Sequence, residues 1–285
     1  MFRTLAIALA LVLVGSAPPA EAQEPPQPRS VPVSISKLPA TKGITYDADA
    51  ERQLLLMANQ ARAKAGLPPL ESDEGLTQAA RAHGELMATR QQLSHQFDHE
   101  LYLTQRIAAT SALHLDSAGE NVAFGGDVQQ VEAGLMHSPH HRENLLNASY
   151  NVAGFGVVRS EYALYVVQDF GHSLRSVSAD ESTDLIADSI EKARQSAKLP
   201  VLQRQSDGTA ASTACKMAHA DSLNVPTLPG QYILRYTTMQ LDVLPSPGIK
   251  AIDDSRIHAF SAGTCYGRTS TYPNGVYWVA LLLYF

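Results

Sequence analysis

A nine-residue stretch, Arg62-Ala63-Lys64-Ala65-Gly66-Leu67-Pro68-Pro69-Leu70, returns as Arg194-Gln195-Ser196-Ala197-Lys198-Leu199-Pro200-Val201-Leu202. Arg, Ala, Leu, Pro and Leu match at one constant offset. Both copies read as the end of a helix followed by a Leu-Pro-x-Leu step, so the repeat predicts two halves built on one plan. The 285 residues suit that arrangement, since ordinary domains run to about 100–150 residues. The same offset sets Ala211 on Ala79, Ala214 on Ala82 and Cys215 on His83. Each half also closes with two β-rich runs joined by a polar turn, at 152–158 with 162–170 and at 260–268 with 276–284. A chance match of one helix end is the competing reading.

From Asp49 onward, Leu54, Leu55, Ala58, Ala61, Arg62 and Ala65 recur at helical spacing, and Gly66 with Pro68 ends that helix. A second helix is expected to start near Ser72 or Asp73, with an apolar face of Leu76, Ala79, Ala80, His83 and Met87. Its small alanines predict close packing on a neighbour. A third helix is expected over 101–110 and a fourth over 128–136. Helices first and a hairpin last predict a layered α/β domain over 47–174, followed by a second domain over 175–285.

The N-terminus points to export. Arg3 precedes an apolar run over 5–14, and Ala20-Glu21-Ala22 reads as a small-x-small cleavage site, which predicts a signal peptide over 1–22. The run is about half of what a membrane-spanning helix requires, and no later stretch reaches that length. The mature chain is therefore expected to be secreted or periplasmic, without a transmembrane segment, and 281–285 to be a buried strand. Residues 23–46, rich in Pro, Ser and Lys, read as a linker. A net charge of −6 without any basic block lacks the electrostatic footprint of a nucleic-acid binder. For the two cysteines, Cys215 and Cys265, an oxidising compartment favours a disulfide, with two buried free thiols as the alternative.

Eight of the ten histidines lie between His83 and His172, so histidine chemistry belongs to the first half. His95 follows Leu93-Ser94, Glu120 lies in Gly119-Glu120-Asn121, and His141 lies in Ser138-Pro139-His140-His141-Arg142-Glu143-Asn144. His83 faces the apolar side of its helix and is expected to be packed and hydrogen-bonded. For Arg106, pairing with a carboxylate near the site and solvation at the surface are both open. The chain has no Gly-x-Ser-x-Gly elbow, His-Glu-x-x-His pair or phosphate loop.

Taken in order with Asn59 to Arg62, Leu67 to Leu70 and Gly154-Phe155-Gly156-Val157, these motifs resemble the bacterial branch of the CAP superfamily. That superfamily comprises the cysteine-rich secretory, antigen-five and pathogenesis-related proteins. The resemblance covers about residues 50–172. It implies an α/β/α sandwich with His95, Glu120 and His141 lining an open cleft. Leu135 or Met136 stands where the family usually has Trp, and Ser138 where the animal branch has a second Glu. Residues 175–285 resemble the scaffold alone, as a degenerate CAP-like α/β domain with a chemically empty cleft.

Ser138 suits a helix N-cap and Pro139 the first helical position, which sets His141 in the first turn, where the helix dipole favours neutral imidazole. His95, His141 and Glu120 are the three groups that could ligate a divalent metal such as zinc, with an open position for water. The same groups could do acid-base work without metal, or simply knit the loops together. Ser138, Asn121 and Asn144 are further candidates for the cleft. The favoured expectation is an exported binding module for a lipid, an envelope polymer or a protein. The alternative is a metal-assisted or acid-base hydrolase acting on an extracytoplasmic substrate.

Overall fold

The first expected helix runs over Ala48–Lys64 (α1), started by Asp47, whose side chain accepts the Ala50 amide. Asp73 caps Glu74–Arg90 (α2) in the same way through the Leu76 amide. The computed structural model in which these elements are seen describes residues 44–161, 163–206, 208–226 and 232–285. The expected signal peptide, and the linker as far as residue 43, lie outside the described residues. Thr45–Tyr46, the last two residues assigned to the linker, instead form a short strand (β1).

Between and beyond these helices lie Glu71–Ser72 (β2), Leu103–Thr110 (α3), His114–Gly125 (β3), Val128–His137 (α4), Pro139–Leu145 (α5), Val152–Arg159 (β4) and Leu164–Leu174 (β5). The strands form one sheet in the order β1-β4-β5-β3, with β2 pairing parallel to β4. Alternation along the strands gives each face its own core. Ala153, Phe155, Val157, Val166 and Phe170 pack with Leu54, Ala58, Val131, Leu135 and Leu145, so α1, α4 and α5 cover one face. Val152, Val122 and Val167 pack with Leu76, Ala80, Met87 and Ile107 of α2 and α3 on the other. The result is an α/β/α sandwich. Gly156 lets α2 approach this closely, because a Cβ there would lie 2.4 Å from the Ala80 carbonyl carbon. β3 carries no strand signal of its own: its Gly, Ser, Asp and Asn are poor strand formers, and pairing with β5 supplies its conformation.

The remainder comprises Ala179–Ser196 (α6), Gln203–Arg204 (β6), Thr209–Ala220 (α7), Tyr232–Thr238 (β7), Ser246–Ile252 (α8), Ala259–Gly267 (β8) and Val276–Tyr284 (β9). Its sheet has the order β6-β8-β9-β7, with β6 parallel to β8 as β2 is to β4. The two halves thus share one strand topology. α6 and α8 cover one face of this sheet and α7 the other. β9 is buried along nearly its whole length, as a core strand should be.

The repeated arginines explain why the repeat is there. Arg62, fully buried, donates to the carbonyls of Pro68, Leu145, Asn147 and Tyr150, tying the end of α1 to the loop after it and to the end of α5. Arg194, equally buried, donates to Pro200, Ile252 and Asp254, the same three places in the second half. The constant offset fails further on. α2 ends at Gln91 and α7 at Asp221, both in left-handed backbone, and Met217 takes the buried place of Met87. Cys215 therefore corresponds to Glu85 rather than His83, because α7, with 12 residues against 17 in α2, is shortened by more than the longer segment before it adds.

Cys215 on α7 and Cys265 on β8 form a disulfide. It closes a loop with a sequence separation of 50, which restricts the unfolded chain by about 4 kcal/mol in the chain-entropy account. The Cys215→Ala/Cys265→Ala double variant should lose up to that amount in urea unfolding. The native protein should react with a thiol probe only after reduction; ready labelling before reduction would reject the bond.

Candidate functional site

β3 lies at the edge of its sheet, and neighbouring residues on it face opposite layers. Glu120 points into the α2 layer, while Asn121 points toward α5. Directly across from this pair on β5 stand Asp169, opposite Glu120, and Gln168, opposite Asn121. All four are buried.

On the α2 side, Glu120 is held by two partners. Arg106 from α3 pairs with its Oε2, and His95 places Nδ1 2.9 Å from its Oε1. Arg106 also reaches Glu100 at 3.2 Å. Glu100 meets His83 Nδ1 at 2.6 Å, and the other ring nitrogen of His83 lies 2.8 Å from the Ser94 carbonyl, which fixes the turn leading to His95. His83 is thus the packed, hydrogen-bonded histidine its helical position predicts. Arg106 is buried and paired rather than solvated. Asp169 lies beneath this network, and among the described residues neither of its carboxyl oxygens has a hydrogen-bond partner.

On the α5 side, the Asn121 amide donates to the His141 carbonyl at 2.9 Å and to Gln168 at 3.0 Å. Asn144 donates to the Glu120 carbonyl at 3.1 Å and to Asn121 Oδ1 at 3.0 Å. These two asparagines are the struts that fasten α5 to the edge of β3, and through it bring His141 toward His95. Ser138 occupies the N-cap position of α5 as expected, but its side chain makes no capping hydrogen bond.

The electrostatics follow from this packing. The hydrogen bond to Glu120 raises the His95 imidazole above its usual value, outweighing partial burial. His141 is pushed down by burial first and then by the charges of His95 and His140, so the two imidazoles feel each other. The neutral form expected at His141 is thus favoured, though burial rather than the short helix α5 is the leading cause. Burial drives Asp169 well above the carboxylate range, and Glu120 and Glu100 add to it. For Glu100, burial pushes upward, but the His83 hydrogen bond and the charges of His83 and Arg106 leave it lowered. The two imidazoles are therefore shifted in opposite directions, His95 toward its charged form and His141 toward its neutral form.

Strand register identifies the same positions in the second half. Ser72 pairs with Ala153 as Arg204 pairs with Phe260, and following the pairing across each sheet sets Ile233 at the place of Glu120 and Leu282 at the place of Asp169. Leu234 and Leu281 likewise replace Asn121 and Gln168. Leu281 and Leu282 are fully buried.

Residues 55–170 match the family model of CAP, the cysteine-rich secretory protein family. This stretch is a CAP domain. The Bacillus subtilis (strain 168) protein YkwD is 30% identical over 143 residues, which make up 45% of this chain and 52% of that protein. The chain thus spans about half of that relative's length. Among solved structures, an outer surface protein from Borrelia burgdorferi is 21% identical, with 46% of this chain and 99% of that chain covered at a TM-score of 0.43. An extracellular SCP-domain protein from Bacillus anthracis str. Ames is 26% identical, covering 44% of this chain and 41% of that one at a TM-score of 0.41.

Sequence reasoning reached His95, Glu120, His141, Asn121 and Asn144 in the CAP domain but passed over Glu100, Gln168 and Asp169. A signal existed for the last two: they interrupt the apolar run Val166-Val167-Gln168-Asp169-Phe170, where a central strand has no room for unpaired polar groups. Among the described residues, no helix is long and apolar enough to cross a membrane.

Proposed function

We propose that this chain is an exported binding module whose CAP domain reads its ligand with His95 and His141, the ligand being an envelope polymer or a secreted protein. The contrast between the halves carries this reading. Ile233, Leu234, Leu281 and Leu282 build the second sheet at the very places where the first has Glu120, Asn121, Gln168 and Asp169. The fold therefore does not need those polar groups. Burying them costs stability that apolar residues would have supplied, and such a departure from the cheapest core is expected at functional sites. The polar lining suits hydrogen-bonding ligands better than a lipid. Export rests on Arg3, the apolar run over 5–14 and Ala20-Glu21-Ala22.

A metal does not fit the residues as they stand. Both Glu120 oxygens are engaged, by Arg106 and by His95, and among the described residues no group of three His, Cys, Asp or Glu is placed to hold an ion. Zinc on His95, His141 and Glu120 would require the Arg106–Glu120 pair to break.

One observation favours acid-base hydrolysis as a second reading. Glu120 binds His95 through Nδ1 and orients the ring, in the manner of a carboxylate behind a catalytic imidazole, while the His95 side chain stays 59% exposed. Co-sedimentation with purified murein sacculi separates these readings. His95→Ala and His141→Ala should each weaken retention about tenfold, corresponding to about 1.4 kcal/mol. Wild-type retention in both variants would make the cleft architectural. Loss of sacculus hydrolysis with retention intact would establish the enzyme, and a stoichiometric metal lost from either variant would restore the metal reading.

A further inference from the structure

The second half meets the CAP domain at the end of α3 and the start of β3. Arg268, the residue after β8, donates to the Ala108 carbonyl and to the Leu113 carbonyl, each at 2.9 Å. Ala108 lies in the last turn of α3, where a helix leaves carbonyls without an amide of its own to accept from, and a cation is the charge that such an end favours. α3 is also the helix from which Arg106 reaches Glu120. The second half therefore holds a helix that serves the cleft.

His114 closes this joint from the CAP side. Its ring lies on that of Tyr266, with centroids 3.6 Å apart and planes 16° apart, and it meets Tyr277 edge-on at 6.3 Å. Its Nδ1 is buried and, among the described residues, has no hydrogen-bond partner. Phenylalanine would make the same stack without stranding a nitrogen, so what histidine adds here is a site for a proton. A tyrosine face attracts a cation, but burial and the charge of Arg268 outweigh it and hold the imidazole below its usual value. The other groups around the ring are engaged or neutral. Burial raises the phenols of Tyr266 and Tyr277, Asp116 is turned to His172 Nδ1 at 2.8 Å, and Arg175 is paired with Glu181 at 2.6 Å.

We propose that this joint is an acid-released clasp: when His114 takes up a proton beside Arg268, the second half lets go of the end of α3. The closed form keeps His114 neutral, and the open form lets it charge in water. Closure is therefore fully favoured above the ordinary imidazole range and is lost as pH falls through that range toward the lowered value. This gives the chemically plain second half a task of its own, which is to fix α3 at neutral pH and free it in acid. The clasp is independent of what the cleft binds.

Hydrogen exchange of the full chain, expressed as protection factors for residues 108–114, tests this. From about pH 7.5 to about pH 5, protection should fall about threefold or more in the wild type. His114→Phe keeps the stack and the Asp116–His172 pair, and its protection should hold constant over the same range. Arg268→Gln should lower protection at both ends of the range and move the titration of His114, followed by its ring proton resonances, toward the ordinary imidazole value. Unchanged protection in the wild type, the same fall in His114→Phe, or a His114 titration that Arg268→Gln leaves in place would overturn the proposal. Should His114→Phe fail to fold, the wild type decides alone: the fall in protection has to track the His114 resonances rather than those of His95, His141 or His172.

Discussion

Replacing Arg106 with alanine should destabilise the CAP domain by about 3–5 kcal/mol, the range for removing one partner of a buried ion pair. Arg106 is 6% exposed and holds both Glu120 and Glu100. Without it, Glu100, Glu120 and Asp169 share one buried region with no guanidinium between them. The loss should be greatest near neutral pH and should shrink on acidification, because protonated carboxyls no longer repel one another.

Asp169 adds a pH dependence of its own to the wild type. Its folded value is raised, so between the ordinary carboxylate range and that raised value the folded state holds a proton that the unfolded chain releases. Stability from this group is therefore present at low pH and declines as pH rises. Removing Arg106 should steepen that decline. Urea unfolding of wild type and Arg106→Ala across acidic to neutral pH measures both effects, and equal loss at every pH would show that charge is not the cause.

The second large effect belongs to Arg62. Among the described residues it has no carboxylate partner; four backbone carbonyls share its guanidinium. Arg62→Ala would strand buried carbonyls at about 1–3 kcal/mol for each that water cannot reach, so a loss of about 4–5 kcal/mol is expected. Arg62→Lys should recover little, since an ammonium cannot span carbonyls that a planar fork reaches together. Arg194→Ala should destabilise by a similar mechanism but somewhat less, because Arg194 holds three carbonyls. Chemical denaturation of the three variants provides the test; a loss below about 1 kcal/mol for Arg62→Ala would show that water replaces the guanidinium.

Much of this architecture could be read directly from local pattern. Apolar spacing defines α1 and α2, with Asp73 marking the start of the second, and the β-rich runs define both terminal hairpins. Arg62 and Arg194 mark the same joint in each half because a helix end, a Pro-containing turn and a guanidinium recur together. The histidines and Glu120 were legible as a constellation through ordered motifs.

Other features depended on contacts between distant segments. β3 is a strand because β5 pairs with it along its length, a contact that overrides its poor intrinsic preference. Nothing local to Glu100, Arg106 or Asp169 announces that they meet.

The amino-acid order alone carried α1, α2 and the closing hairpins, because those follow from periodicity and backbone chemistry within a few residues. Only the folded sheet decided that Glu120 would stand across from Asp169 under Arg106, and that Ile233 and Leu282 would fill the same places in the second half. Register and desolvation belong to the surroundings of a residue, and those surroundings exist only once the strands have paired.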